Sequence, residues 1–143
     1  EVGKIVKKYG GKYISDEVQT GAGRCGGNIL LTKELGIDAD IITMAKGLGN
    51  GAPIGAAMMK TEISDSLSGK LFFNTFGSDP YQTAQAKVVL DILRDENLVE
   101  NARAMGALIV EGLKTMMKTA MSTGSAEGSL PAATLDAPGG RSS

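Results

Sequence analysis

Apolar residues enter the chain at helical spacing: Val2, Ile5 and Val6 recur among lysines until Gly10-Gly11 interrupts them, the pattern of a helix that ends on glycine. Two short runs of strand character follow. Tyr13-Ile14-Ser15 leads into Asp16, and Ile41-Ile42-Thr43-Met44 leads into Ala45-Lys46; their length and β-branched content predict buried strands. A third run, Pro53 to Met59, reads as another strand. Between the first two strands lie a glycine-rich loop, Gly21 to Gly27, and an unassigned stretch through Leu35. Between the second and third, Gly47-Leu48-Gly49-Asn50-Gly51 is too glycine-dense for a helix.

Two helices with stronger start signals come next. Asp79 can cap the first, with Pro80 at its first position and Gln82 placed for a capping box; Ala84, Val88 and Ile92, with Val89 and Leu93 beside them, form its apolar stripe. Asn97 with Glu100 offers the same cap to a second helix, whose stripe runs Leu98, Ala102, Met105, Ile109, Leu113, Met116 and is expected to pack in a core. From Thr119 onward Gly, Ser, Ala, Thr and Pro dominate, the composition of a linker or disordered tail. The predicted organisation is an α/β domain over 1–118 and a low-complexity tail over 119–143. With no initiator Met and an opening that reads as mid-helix, the chain is expected to be an internal piece of a longer one.

Composition narrows the partners. Fifteen basic and sixteen acidic residues leave a net charge of −1, without the basic excess of a nucleic-acid binder. There is no histidine and a single Cys25, so an internal disulfide, a cysteine-rich zinc site and histidine-based catalysis are all excluded, and no metal site is expected. No run approaches the length of a membrane span, and the lysine-rich first ten residues are no signal core.

Both predicted strands deliver a charged residue at their carboxyl ends, where open α/β sheets bind ligands. Taken alone, Lys46 reads as a surface lysine and Asp16 as a turn cap. Their pairing changes the reading. A lysine that bonds an aldehyde, and a carboxylate that keeps a pyridine nitrogen protonated, are the two groups a pyridoxal 5'-phosphate (PLP) enzyme requires. The small-residue loop Asn74 to Asp79, leading into a capped helix, supplies hydroxyl and N–H groups suited to a phosphate. Gly47-x-Gly49-x-x-Ala52 loosely fits a dinucleotide fingerprint, with Asp65 as its ribose-binding acid, but Gly51 and Pro53 interrupt the required helix. Gly21-x-Gly23-x-x-Gly26 matches the same expression and opens no evident helix.

Together, I-S-D-E-V-Q-T-G-A-G-R at 14–24, D-I-I-T-M-A-K-G-L-G-N-G at 40–51 and F-N-T-F-G-S-D-P at 73–80 resemble the class III PLP-dependent aminotransferases in order and spacing. The similarity runs over about residues 1–118, and the wording is nearest the alanine:glyoxylate aminotransferase 2 group; ornithine, acetylornithine and 4-aminobutyrate aminotransferases share much of it. The resemblance implies the large domain of a fold-type I transferase, a mainly parallel sheet flanked by helices, here incomplete. It implies that Asp16 pairs with the pyridine nitrogen, Val18 packs on the ring, Gln19 lies near the ring hydroxyl and Lys46 forms a Schiff base with PLP. Thr75 would reach the phosphate of a neighbouring subunit, which implies a homodimer. Amino-acid and 2-oxo-acid substrates and a mitochondrial setting follow from the same resemblance, with a cytoplasmic one left open.

The chain departs from the family at Asn28-Ile29-Leu30, where an aromatic residue is usual, at Ala39, where proline is common, and at Ser78-Asp79, where Gly-Asn is usual. The family's upstream phosphate loop and ring-stacking aromatic precede Glu1, and Arg141 should not inherit its downstream carboxylate-binding arginine. The alternatives are a catalytically inactive fragment with a structural or interaction role, and a dinucleotide-binding domain.

Overall fold

The computed structural model describes residues 1–123. They fall into two units, Glu1–Ile109 and a second that begins at Val110. Helix α1 (Val2–Lys8) ends as expected on the glycine pair. Gly10 adopts φ +74°, and the N–H groups of Gly10 and Gly11 donate back to Lys7 and Val6, each at 3.0 Å, closing the last carbonyls of the helix.

The sheet has three strands in the order β1 (Ile14–Asp16), β2 (Ile41–Met44), β3 (Ala56–Met59). β1 and β2 are parallel, with Asp16 level with Thr43; β2 and β3 are antiparallel, with Met44 level with Ala56. The third strand is shorter than the apolar run suggested, because Pro53-Ile54-Gly55 belongs to the connection that returns from β2. Within the unassigned stretch a single helical turn, α2 (Leu31–Glu34), crosses between β1 and β2. Helix α3 (Thr61–Ser66), which no cap or apolar stripe announces, follows β3.

Helix α4 (Pro80–Asp95) starts as predicted. The Gln82 N–H donates to the Asp79 carboxylate at 2.9 Å, and Pro80 occupies the first turn, where its missing N–H costs nothing. Its inward face is only partly the expected one: Val89 and Leu93 are half-buried and Ala84 is exposed. Val88 and Ile92 are exposed, whereas Ala86 is buried and Leu90 packs beside it, against Met44 and Leu48. The small Ala86 side chain lets α4 approach the turn that carries Leu48.

Asn97 does not cap α5 (Leu98–Thr123) with its side chain. It takes φ +52°, its N–H donates to Arg94 at 3.2 Å, and its carbonyl accepts from Asn101, so it ends α4 in the left-handed conformation that asparagine tolerates. Leu98, Val99 and Ala102 at the start of α5 are half-buried; Met105, Ile109, Leu113 and Met116, expected in a core, are exposed, Met105 by 47%. α5 also continues to Thr123, five positions into the segment expected to be a tail, and positions 124–143 of that segment lie outside the described residues.

Candidate functional site

Parallel pairing of β1 and β2 brings two carboxyl ends to one edge of the sheet. Asp16 is the last residue of β1, and Lys46 follows β2 by two positions, at the start of a single 3-10 turn, Lys46–Leu48. Both side chains are exposed. The Lys46 backbone has φ +43°, uncommon for a residue with a Cβ, and is held there by bonds on either side: Leu48 N–H to Ala45 at 2.9 Å and Gly49 N–H to Lys46 at 3.0 Å.

Lys46 lines an open cleft of about 490 Å³ with Arg24, Gly47, Asn50, Pro53 and Ile54 among its walls. No carboxylate lines it, and neither Lys46 nor Arg24 has an ion-pair partner among the described residues. The cleft therefore suits an anion.

Asp16 spends one carboxylate oxygen on the Val18 N–H, at 2.9 Å, the turn-capping role its position predicted; the other oxygen has no bond among the described residues. Val18 is half-buried and Gln19 exposed. Thr75 is exposed in the loop that Asn74 organises by accepting from the N–H groups of Phe76 and Gly77. That loop borders a second cavity of about 300 Å³, lined by Asn74, Phe76 and Ser78 but not Thr75, which adjoins the first at Pro53 and Ile54. Thus the fold brings Asp16 and Lys46 to one edge of the sheet, and neither Asp16 nor Thr75 lines the Lys46 cleft.

Two residues escaped the sequence reading. Arg24, in the G-A-G-R word, shares the cleft with Lys46. Glu17 is buried and accepts three hydrogen bonds from the first turn of α2. Its partners stand fourteen and fifteen positions away, so no local spacing announces it.

The glycine-rich loop is explained by packing. A Cβ on Gly23 would lie 2.7 Å from a Val99 methyl, and one on Gly26 2.7 Å from the Arg103 Cα, so the loop seats on the start of α5 only without side chains. Neither glycine word opens the helix a dinucleotide fingerprint requires: residues 46–48 make one 3-10 turn, and the chain then extends toward β3.

The opposite edge of the sheet is clamped by charge. Asp40 accepts the Tyr13 N–H at 2.8 Å, which, with Lys60 nearby, lowers its pKa. Asp38 bonds Lys60 and Lys7, and these hold its carboxyl down to about 2; Lys60 is raised, chiefly by Asp38. With Lys60 committed in this way, Lys46 is left as a strand-end lysine without a carboxylate partner.

Among known proteins, the family described as aminotransferase class-III matches residues 1–136. "Alanine--glyoxylate aminotransferase 2, mitochondrial" of Homo sapiens is 41% identical over 111 residues, 77% of this chain and 22% of that protein. "Ethanolamine-phosphate phospho-lyase homolog 1" of Caenorhabditis elegans is 38% identical over 121 residues, 82% of this chain and 26% of that protein. The chain thus spans about a quarter or less of these relatives' lengths. Among solved structures, the ornithine aminotransferase of Toxoplasma gondii, whose active site is described as partly occupied by PLP, superposes with a TM-score of 0.73 at 31% identity, over 78% of this chain and 26% of that one.

Proposed function

The chain belongs to the class-III aminotransferase family, and on that premise we propose that it carries the cofactor-holding part of a transaminase, which moves an amino group from an amino acid or amine to a 2-oxo acid such as glyoxylate or pyruvate. The observation that carries this reading is the convergence of Asp16 and Lys46 at the carboxyl edge of β1 and β2, beside a cleft without carboxylates. PLP, when bound, supplies an electron sink for the charge left on the substrate α-carbon when its proton is removed. The rest falls to the chain. The Lys46 amine would hold the cofactor at its carbonyl carbon and, once the substrate amine has displaced it there, would be free to carry the proton from the substrate α-carbon to that carbon.

Asp16, whose second oxygen the Val18 N–H leaves free, would hold the ring nitrogen and keep it protonated. Val18, half-buried, would support the ring face, and Gln19, exposed, would bond the ring hydroxyl. Thr75, exposed and outside the Lys46 cleft of its own chain, serves the phosphate of a second subunit, which makes the working enzyme a homodimer. A mitochondrial setting is the reading favoured by the name of the human relative.

The test is chemical. Borohydride reduction of the complete enzyme with PLP, followed by peptide mapping, places the pyridoxyl label on Lys46. Label on Lys60 or Lys70 with Lys46 unmodified overturns the assignment. Turnover of amino donors with glyoxylate, pyruvate and 2-oxoglutarate then separates transamination from a phospho-lyase activity, which would release phosphate and consume no 2-oxo acid.

A further inference from the structure

Glu17 is only 2% exposed, and no step of the proposed chemistry uses it. Its carboxylate accepts the Leu31 N–H on one oxygen at 2.7 Å, and the Thr32 N–H and hydroxyl on the other at 2.8 and 2.5 Å. Its main chain is held as firmly: the N–H donates to Thr43 in β2 at 2.8 Å, and the carbonyl accepts from Gly21 at 2.8 Å. Five hydrogen bonds from β2, the glycine-rich loop and α2 therefore converge on one residue. Burying a carboxylate is costly unless such donors meet it. A four-residue helix alone gives little return for that cost, since an exposed serine or aspartate would cap it as well.

What the anchor does determine is the path of the chain as it leaves β1. Asp16 and Val18 flank Glu17 and are bonded to each other, so any rotation at position 17 carries both with it. Displacement by about 1 Å of a group that must meet a reacting ring can cost about a hundredfold in rate. Glutamine in place of Glu17 would turn an amide NH2 toward either the Leu31 N–H or the two Thr32 donors, leaving buried donors unpaired.

We propose that Glu17 is a positioning residue, which acts on the bound cofactor through Asp16 by fixing the end of β1 against α2. The inference rests on the proposed role of Asp16. Its test is a double-mutant cycle in the complete enzyme, because a residue acting through Asp16 must lose its effect when Asp16 is disabled. Glu17→Gln is made alone and together with Asp16→Asn, and PLP dissociation constant, turnover and apo-protein melting temperature are measured for each. Glu17→Gln is expected to weaken PLP binding and turnover about tenfold with Asp16 present, and less than about twofold in the Asp16→Asn background. The fall in melting temperature is expected to be the same in both.

Thr32→Val removes only the hydroxyl bond, and carries the same cycle where Glu17→Gln does not fold; a loss of about threefold in PLP affinity is expected beside Asp16, and none beside Asp16→Asn. Equal losses in the two backgrounds, with Asp16→Asn itself impaired, overturn the positioning role and leave Asp16's intact. Parental PLP affinity and turnover in Asp16→Asn overturn both.

Discussion

Asp16 offers a clean separation of charge from structure. Its one hydrogen bond, from the Val18 N–H, needs only an acceptor oxygen, which the side chain of asparagine also provides. Asp16→Asn should therefore keep the turn, the melting temperature and some PLP binding, and lose the negative charge that holds the ring nitrogen protonated. Turnover of the complete enzyme is expected to fall on the order of 10²-fold, about 3 kcal/mol of transition-state stabilisation. Single-turnover kinetics check this, and a parental rate constant would show that Asp16 does no more than close its turn. Lys46 is the complementary case. Its positive φ is a mild strain maintained by two backbone hydrogen bonds around it, and it stands on a cleft wall where Arg24 is the other cation. The strand-end positions of both residues are legible by a simple rule, charged groups closing apolar runs, and the parallel strand pair puts them at one edge.

Among the elements, the clamp at the far edge of the sheet titrates. Asp38 is depressed from its ordinary value of 3.8 to about 2 by Lys60 and Lys7, so its contribution to stability is present above about pH 4 and is lost as pH falls through about 2. Lys60 is raised, so its share is complete below its ordinary 10.5 and disappears only above that, as pH climbs through the raised value. Between these limits α1, β3 and the entry to β2 stay tied. In the complete enzyme, Asp38→Asn should flatten the acid limb of the melting-temperature profile between pH 4 and 2 without altering the slope near neutrality; an unchanged limb would show that the clamp contributes nothing measurable. What the sequence disclosed about elements follows from range. The Asp79 cap was legible because its partner is three residues away, and the Gly10-Gly11 stop because glycine permits the left-handed turn directly. Asn97 was misread because its backbone conformation, set by the α4–α5 junction, decides its role. Part of the expected α4 stripe faces outward because the helix meets the Leu48 turn with Ala86 and Leu90, a contact between segments remote in sequence. Glu17 was invisible because its partners are remote in sequence.

At the scale of the whole chain, the decisive quantity is how little apolar surface is buried. Among the described residues Met44, Leu48 and Ala86 are the buried hydrophobic ones, with six others partly buried around them. Against this, Leu71, Phe72, Phe73 and Phe76 are exposed in the first unit, Leu71 fully, and Val110, Leu113, Met116, Met117 and Met121 are exposed in the second. Folding must offset on the order of 1–2 kcal/mol of backbone entropy per ordered residue, and so small a core does not supply it. Exposed aromatic and aliphatic clusters of this kind mark surfaces that other protein is meant to cover. The 143 residues expressed by themselves are therefore expected to melt without a sharp transition, bind hydrophobic dyes and exchange most amides within minutes, with self-association at micromolar concentration. With saturating PLP they should react slowly at lysine amines without selecting Lys46, because the Lys46 cleft is open and Lys46 is as exposed as other lysines of the chain. No amino transfer to glyoxylate, pyruvate or 2-oxoglutarate is expected. Calorimetry, amide exchange and a coupled transamination assay on one preparation decide the matter: a cooperative transition together with steady turnover would show that the few buried residues suffice and that Asp16 and Lys46 are already organised for catalysis within this chain.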